Sequence, residues 1–198
     1  MAKFYFRYGT MNCGKTRQLL SVWYNYHEKG KTAFIMKPLI DTKGINRVVS
    51  RDMQSKEVNY LIEEDDDIYE IIKKVLQTSQ IDCILIDESQ FLKEHHIIEL
   101  TDIVDYLNIP VICYGLMRDF QGHLFEGSKC LLENVDKIEE IKTICECGHK
   151  ATQVIRYVNG IATLEGEQII IDGADDEVVY DSICRKCKKE ILGIGRDE

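Results

Sequence analysis

The chain has 198 residues, with 34 Asp and Glu against 25 Lys and Arg, which leaves a formal net charge of −9. An apolar content of 44% with only 2 prolines excludes a disordered chain, and no run approaches the ~20 apolar residues of a membrane helix. The acidic balance disfavours binding to a nucleic-acid backbone, and the lack of a signal-peptide pattern predicts a cytoplasmic protein with no membrane partner.

Short apolar or aromatic runs alternate with segments of helical periodicity, a pattern typical of an α/β fold with a mostly parallel sheet and covering helices. The runs predict strands at residues 4–8, 32–37, 81–86 and 110–114. The periodic segments predict helices at residues 16–29, 68–76 and 97–107. We interpret the acidic run at residues 63–67 as the cap of the second helix, and we expect His95 and His96 to be exposed ahead of the third.

The sequence changes character after residue 142, where paired cysteines and a Gly- and Asp-rich stretch begin. Asn159-Gly160, set between alternating apolar residues, predicts a tight hairpin turn. We therefore predict two domains, an α/β domain at residues 1–142 and a small C-terminal domain at residues 143–198.

Residues 9–16 (GTMNCGKT) fit the phosphate-binding pattern G-x-x-x-x-G-K-[ST] between a predicted strand and a predicted helix. Glycines allow consecutive backbone N–H groups to turn toward phosphate oxygens, which a Cβ would obstruct. The Lys15 ammonium would reach the β- and γ-phosphates of ATP, and the Thr16 hydroxyl would ligate Mg²⁺. The expected phosphate-binding residues are Gly9, Thr10, Met11, Asn12, Cys13, Gly14, Lys15 and Thr16.

A phosphate loop of this kind needs a second element, a buried strand that ends in a carboxylate. Residues 83–88 (CILIDE) supply it, with Asp87 at the end of the strand and Glu88 directly after it. Adjacent carboxylates at a strand end point in different directions. Asp87 can therefore face the metal while Glu88 faces the attacking nucleophile.

The 8 cysteines fall into two groups. Four stand alone, and we interpret them as packing residues because a free thiol behaves as a small hydrophobe. These are Cys13, Cys83, Cys113 and Cys130. The other four have the spacing C-x-C … C-x-x-C, which in a cytosolic chain predicts a metal site before it predicts disulfides. They are Cys145, Cys147, Cys184 and Cys187.

Taken together, these motifs resemble the thymidine kinase family found in bacteria, large DNA viruses and animal cytosol. The phosphate loop keeps the family's glycines, lysine and threonine, and residues 87–91 (DESQF) match its D-E-x-Q-F motif. Residues 115–125 (GLMRDFQGHLF) match G-L-D-x-x-F-x-G-x-x-F, and residues 41–43 (DTK) match D-x-R in altered form. Near the C-terminus, residues 171–173 and 180–187 follow the family pattern I-G-G … Y-x-x-x-C-R-x-C.

The resemblance implies a RecA-like P-loop fold and ATP-dependent phosphorylation of the thymidine 5′-hydroxyl. In this family the glutamate of D-E-x-Q-F is the general base, which gives Glu88 that role and leaves Lys15 to stabilise charge on the transferred phosphate. Asp87 and Thr16 would hold Mg²⁺, directly or through water. The second motif completes the implied ATP site with Asp87, Glu88, Ser89 and Gln90.

The resemblance also implies a thymidine pocket and a C-terminal lasso, a loop whose main chain reads the edge of the base. The implied substrate-binding residues are Met11, Asp41, Lys43, Phe91, Leu116, Phe120, Phe125, Ile169, Ile170, Ile171, Gly173 and Tyr180. The four paired cysteines would hold a structural Zn²⁺ in the small domain. The family is typically oligomeric and often tetrameric, so we expect a homo-oligomer.

Several positions depart from the family pattern. The first cysteine pair is one residue short, which leaves His149 as an alternative ligand beside the four thiolates. Lys43 replaces the family's arginine, Met117 replaces an aspartate, Thr10 replaces a proline, and the loop at residues 174–179 is longer. These changes indicate a divergent member and leave open its preference for thymidine over other pyrimidine nucleosides.

Two other functions compete with the kinase. A P-loop ATPase or switch protein would use the same loop and Asp87-Glu88 to hydrolyse nucleotide, with the C-terminal metal module as its partner surface. No N-K-x-D guanine-reading motif occurs, which disfavours a GTPase. A zinc-ribbon protein that binds nucleic acid is disfavoured by the net charge of −9.

Overall fold

The computed structural model describes residues 1–40, 46–51, 54–168 and 178–194. The helices in these ranges are α1 (Lys15–Glu28), α2 (Ile68–Leu76), α3 (Glu94–Tyr106), α4 (Glu126–Asn134) and α5 (Arg185–Ile191), with a short 3-10 helix at Ser89–Phe91. The strands are β1 (Phe4–Tyr8), β2 (Ala33–Pro38), β3 (Arg47–Val49), β4 (Ser55–Glu57), β5 (Tyr60–Ile62), β6 (Cys83–Ile86), β7 (Val111–Gly115), β8 (Lys137–Glu140), β9 (Thr143–Ile144), β10 (Lys150–Ala151), β11 (Gln153–Val158), β12 (Ile161–Thr163) and β13 (Val178–Ile183). None of the helices in the described ranges combines the length and apolarity needed to cross a membrane.

Six strands form one sheet in the order β5-β2-β6-β7-β1-β8, and every neighbouring pair is parallel. The register pairs Tyr8 with Gly115 and Ile86 with Cys113, so β1, β6 and β7 end at the same edge. The residues that follow these three strands therefore meet there. The predicted mostly parallel sheet with helices is confirmed.

The core has two apolar layers, one on each face of the sheet, because successive side chains of a strand point to opposite faces. Phe34 and Met36 of β2 pack in a cluster that includes buried residues of α2, α3 and α4. Ile35 packs on the other face in a cluster with Leu19 of α1. Burial on both faces explains the nearly continuous apolar strand sequences. Three of the four single cysteines interpreted as packing residues are buried: Cys83, Cys113 and Cys130.

The predicted strands and helices all exist, with bounds that differ by three residues at most. Asp67 caps α2 by accepting a hydrogen bond from the backbone N–H of Glu70 at 2.9 Å, as the acidic run predicts. The expectation that His96 is exposed is wrong, because α3 begins earlier, at Glu94. His96 is buried in the first turn, where its Nδ1 accepts a hydrogen bond from the backbone N–H of Lys93 at 3.2 Å.

The C-terminal part has its own small sheets. β12, β11 and β13 form a three-stranded antiparallel sheet, and β9 pairs with β10. Asn159 and Gly160 have positive φ values of 49° and 79° in the turn between β11 and β12, which confirms the predicted hairpin. The division into domains at residue 142 stays a prediction.

Candidate active site and metal cluster

The phosphate loop connects the end of β1 to the start of α1. Gly14, the residue before the helix, has a φ of 87°, a left-handed conformation that residues with a side chain rarely adopt. The buried Lys15 ammonium donates to the carbonyl of Thr10 at 2.9 Å, so the loop wraps around it. The N–H of Gly9 donates to the carbonyl of Gly115 at 3.3 Å. The first N–H groups of α1 lack intrahelical partners at this end and suit a bound anion.

The middle of the loop is in contact with the C-terminal part. The Ser182 hydroxyl of β13 donates to the main-chain carbonyl of Met11. Asn12 has a φ of 63°. Cys13 is partly exposed, with its Sγ 3.9 Å from the Lys15 ammonium. A strand that lies more than 160 residues after the phosphate loop in the chain therefore supports that loop.

Two oxygen ligands suited to Mg²⁺ meet at this edge of the sheet. Thr16 Oγ1 donates to Asp87 Oδ2 at 2.9 Å, and the Asp87 side chain is buried. Burial, followed by repulsion from the Glu88 carboxylate, raises the pKa of Asp87 to about 7. A cation beside Asp87 would favour its ionised form, and hard oxygen ligands are the ones magnesium prefers. The pair therefore fits a magnesium ion.

Glu88 follows Asp87 and has a strained backbone. Its φ of 49° lies in the left-handed region, which costs a residue with a side chain ~1–3 kcal/mol. Gln90 Nε2 donates to Glu88 Oε2 at 2.6 Å, which fixes the carboxylate. Asp87 Oδ1 accepts from the Glu88 N–H at 3.1 Å. Glu88 is only partly buried, so a ligand can reach it.

The side chains of Ser89 and Gln90 attach the 3-10 helix to the end of β7. The Ser89 hydroxyl donates to the carbonyl of Tyr114 at 3.0 Å, and Gln90 Oε1 accepts from the N–H of Leu116 at 3.0 Å. A Cβ at Gly115 would lie 2.7 Å from Ser89 Oγ, so this close approach requires glycine. Both side chains fix the segment that directly follows Glu88, and their predicted contact with ATP stays a prediction.

The aromatic residues predicted to bind the nucleoside form two edge-to-face pairs. The rings of Phe91 and Phe125 lie 5.8 Å apart with an angle of 81° between their planes. The rings of Phe120 and Tyr180 lie 6.2 Å apart with an angle of 61°. Phe120 and Phe125 are buried, whereas Phe91 and Tyr180 are partly exposed. Each pair therefore combines one buried ring with one partly exposed ring.

Part of the predicted substrate site lies outside the described residues. These residues are Asp41, Lys43, Ile169, Ile170, Ile171 and Gly173. Their assignment stays a prediction. Of the longer loop at residues 174–179, residues 178 and 179 belong to β13.

Sequence reasoning missed Asp119, which organises the turn that carries Phe120. Its Oδ1 accepts from the N–H groups of Gly122 and His123, each at 2.8 Å. Its Oδ2 accepts from Gln168 Nε2 at 2.7 Å. Asp119 is buried, so this carboxylate closes the turn and joins it to the end of the described segment before residue 169.

Two buried cations that were also missed contact Phe120. Arg156 Cζ lies 4.1 Å from the centroid of the Phe120 ring, within the range of a cation–π contact. Lys188 Nζ donates to the main-chain carbonyl of Phe120 at 2.5 Å. Arg156 lies two residues after Val154 in β11, so its side chain points to the same face of the strand as that buried apolar residue. This alternation is the one sequence pattern that could have predicted the burial of Arg156. No comparable pattern predicts the burial of Lys188, which directly follows a predicted metal ligand.

A cavity of about 230 Å³ lies between the start of the phosphate loop and the β10–β11 segment. Its walls include Gly9, Thr10, Met117 and Val154. The Thr10 hydroxyl oxygen is buried and has no hydrogen-bond partner within the described ranges. Nothing in the local sequence pattern indicates that β11 closes this space, because the contact joins segments far apart in the chain.

The four paired cysteines form one cluster. Their sulfur atoms all lie within 4.8 Å of one another, and the sulfurs of Cys147 and Cys184 are 3.6 Å apart. Four thiolates bound tetrahedrally at ~2.3 Å from one zinc ion would lie ~3.8 Å apart. The four thiols therefore fit a single tetrahedral metal ion, which would join the β9–β10 hairpin to α5.

The short spacing of the first pair does not prevent this arrangement. Gly148 has a φ of 82° and donates its N–H to the carbonyl of Cys145 at 2.8 Å, which makes a tight turn. His149 Nδ1 lies 3.4 Å from Cys147 Sγ, beside the cluster. Cys184 Sγ accepts the N–H of Cys187 at 3.4 Å, and this hydrogen bond lowers the pKa of Cys184 to about 7. At Cys184 the thiolate, the form that binds metals, is thereby favoured.

Known proteins resemble this chain over nearly its whole length. A family model described as thymidine kinase matches residues 2–188. A thymidine kinase of Streptococcus gordonii is 48% identical over 188 residues, which cover 94% of this chain and 95% of the relative. A thymidine kinase of Aliivibrio fischeri is 44% identical over 195 residues, which cover 98% of this chain and all of the relative. A thymidine kinase of Vibrio cholerae is 45% identical with the same coverage.

Among solved structures, one described as an ATPase domain aligns with a TM-score of 0.50 and 11% sequence identity. The alignment covers 91% of this chain and 84% of that one. At this identity the likeness concerns the fold alone. It agrees with the P-loop α/β architecture predicted from the sequence.

Proposed function

This chain belongs to the thymidine kinase family, and we propose that it uses its phosphate loop and Glu88 to transfer the γ-phosphoryl group of ATP to the 5′-hydroxyl of thymidine. One observation carries the assignment of residues: Lys15, Thr16, Asp87 and Glu88 converge where β1 and β6 end, with Thr16 and Asp87 only 2.9 Å apart. Phosphoryl transfer depends mainly on positioning and on neutralising charge, and these residues provide both.

In the proposal, the triphosphate of ATP binds on residues 9–16. The N–H groups at the start of α1 and the Lys15 ammonium support this placement, since both are suited to phosphate oxygens. Thr16 and Asp87 would hold Mg²⁺, which when bound neutralises charge on the β- and γ-phosphates. Lys15 stabilises the negative charge that develops on the transferred group.

Glu88 is the proposed general base. The thymidine 5′-oxygen forms a bond to the γ-phosphorus while the bond between that phosphorus and the β–γ bridging oxygen breaks. The electron pair of the broken bond remains on ADP, and the hydroxyl proton moves to the Glu88 carboxylate. The hydrogen bond from Gln90 at 2.6 Å supports this role, because a general base must be held within reach of its proton.

The nucleoside would bind against the aromatic residues beside this edge of the sheet. The edge-to-face pairs support this placement, because a partly exposed ring held by a buried one offers a rigid surface for a base. The proposed base-binding residues within the described ranges are Met11, Phe91, Leu116, Phe120, Phe125 and Tyr180. The segment at residues 169–173, with Asp41 and Lys43, would complete the pocket.

A radiolabelled transfer assay tests the proposed function. With [γ-³²P]ATP and each of the four natural deoxynucleosides in turn, we expect label in thymidine monophosphate, which also measures the preference among nucleosides. ATP consumption that is rapid without nucleoside and unchanged by thymidine would instead favour the P-loop ATPase. Retention of all label in ATP and inorganic phosphate would contradict the kinase.

We propose that the cysteine cluster holds one structural zinc ion. Purified without chelator, the protein is expected to contain one zinc per chain by plasma mass spectrometry. Cys184→Ser should lose the metal and lower the Tm by at least ~5 °C, corresponding to ~2 kcal/mol. Cys130→Ser changes a cysteine remote from the cluster and should keep the zinc ion.

His149→Ala separates the two ligand sets that the sequence allows. If the four thiolates bind the ion, this variant retains one zinc per chain. Loss of zinc from His149→Ala, or full zinc content in Cys184→Ser, would contradict the four-thiolate site. The homo-oligomer, the cytoplasmic location and the lack of a nucleic-acid partner stay predictions.

A further inference from the structure

The turn that carries Phe120 is held by side chains from the C-terminal part of the chain. Lys188 of α5 donates to the Phe120 carbonyl at 2.5 Å, and Arg156 of β11 lies over the Phe120 ring. Phe120 is 1% exposed, Arg156 3% and Lys188 8%. Two cations, one from a strand and one from a helix, thus converge on one aromatic residue in a place largely sealed from water.

The contact made by Lys188 is a strong one. An ammonium group excluded from water is costly unless its donors are satisfied, and a hydrogen bond from a charged donor is about twice as strong as a neutral one. The Phe120 carbonyl is the acceptor that this ammonium contacts, and the buried Asp119 carboxylate beside it adds electrostatic attraction. The main chain at Phe120 is therefore fixed relative to α5.

Fixing the main chain also fixes the ring. The Phe120 ring packs edge-to-face on Tyr180 at 6.2 Å, while the Arg156 guanidinium covers it at 4.1 Å. A shift of the main chain at residue 120 would break this edge-to-face geometry. Binding between pre-positioned rings loses less conformational entropy than binding that must order them first.

We propose that Lys188 is a positioning residue for the nucleoside: by holding the Phe120 carbonyl, it sets the position of the Phe120 ring and thereby the affinity for the nucleoside. The inference rests on the proposed function, in which Phe120 binds the base. Lys188 directly follows Cys187, so the same contact links the cysteine cluster to the nucleoside pocket. It does not touch the phosphate loop residues that would act on ATP.

Lys188→Met tests the proposal, because methionine fills a similar volume without a donor. We expect the KM for thymidine and the Kd for thymidine measured by calorimetry each to rise by ~10-fold or more, the scale of losing one charge-assisted hydrogen bond. The kcat and the KM for ATP should stay within ~3-fold of wild type. Lys188→Arg, which keeps a charged donor, should restore most of the affinity.

Lys189→Met is the matched control, since it removes an exposed lysine from the next position of the same helix. It should leave all four parameters unchanged. Zinc content and Tm are measured for each variant, because Lys188 adjoins a cluster cysteine. If Lys188→Met is not recovered folded, Lys188→Gln keeps a neutral donor and should give a smaller rise in both constants.

The outcomes are distinct. The inference is overturned if a zinc-containing Lys188→Met enzyme binds thymidine as tightly as wild type. The same holds for Lys188→Gln where that variant replaces it. In either case the proposed function stays intact. A fall in kcat together with an equal rise in both KM values, without rescue by Lys188→Arg, would mean that Lys188 supports the fold in general. That result would also overturn the inference. Failure of the wild-type enzyme to phosphorylate thymidine would overturn the proposed function, and the inference with it.

Discussion

Glu88→Gln is expected to lower kcat for thymidine phosphorylation by ~10²–10⁴-fold while the KM for ATP stays within ~3-fold of wild type. The glutamine has nearly the same shape, and its amide oxygen can still accept the hydrogen bond that Gln90 donates at 2.6 Å. A neutral amide cannot take the proton of the attacking hydroxyl group. The effect therefore falls on the transfer step, and single-turnover kinetics with labelled ATP would measure it.

Glu133→Gln provides the control for this variant. Glu133 is exposed on α4, so the same chemical change there should leave kcat and both KM values as they are. A Glu88→Gln enzyme with a near-normal rate would remove Glu88 from the role of base. A large rise in the KM for ATP at normal kcat would assign it to nucleotide binding instead.

Lys15→Ala is expected to lower kcat by at least ~10²-fold, the scale for removing one preorganised group that stabilises charge in the transition state. The KM for ATP should rise as well, because the ammonium contacts the phosphates in both states. In the free protein the same ammonium donates to the Thr10 carbonyl at 2.9 Å, so its loss also removes a support of the loop. Steady-state kinetics with ATP as the varied substrate would measure both effects.

Lys29→Ala is the matched control for this loop variant. Lys29 is exposed at the other end of α1, so the helix loses one lysine without a change in the phosphate loop. We expect wild-type kinetics and an unchanged Tm from Lys29→Ala. A Lys15→Ala enzyme whose transfer rate is within ~10-fold of wild type would contradict the proposed role of the lysine.

The features that were predicted correctly depend on short stretches of sequence. Residues 9–16 carry a motif whose spacing is tied to a strand before it and a helix after it, and both are present. The apolar run at β6 ends in Asp87, and the parallel register brings its end to the same edge as the end of β1. Motif and periodicity were sufficient for these parts because each is decided by neighbours in the chain.

The features that were missed depend on contacts between distant segments. Lys188 and Phe120 are 68 residues apart in the chain, and neither stands in a pattern that indicates the other. The strand β8 lies at the edge of the sheet beside β1, but three of the four residues in KIEE are charged, and so charged a segment was not predicted to be a strand. His96 was misjudged because its burial follows from the earlier start of α3, and the residue before that helix, Lys93, is not one of the usual capping residues.

The hydrogen bond from Ser182 to the Met11 carbonyl constrains the orientation of a whole peptide plane. The peptide between Met11 and Asn12 is trans, so its N–H points away from the carbonyl and hence away from β13. Rotating that plane by half a turn would exchange the two groups and break the bond to Ser182. The orientation of this peptide dipole in the phosphate loop is thus set by a strand near the other end of the chain. β13 therefore restricts the direction in which the Asn12 N–H can be presented to a phosphate.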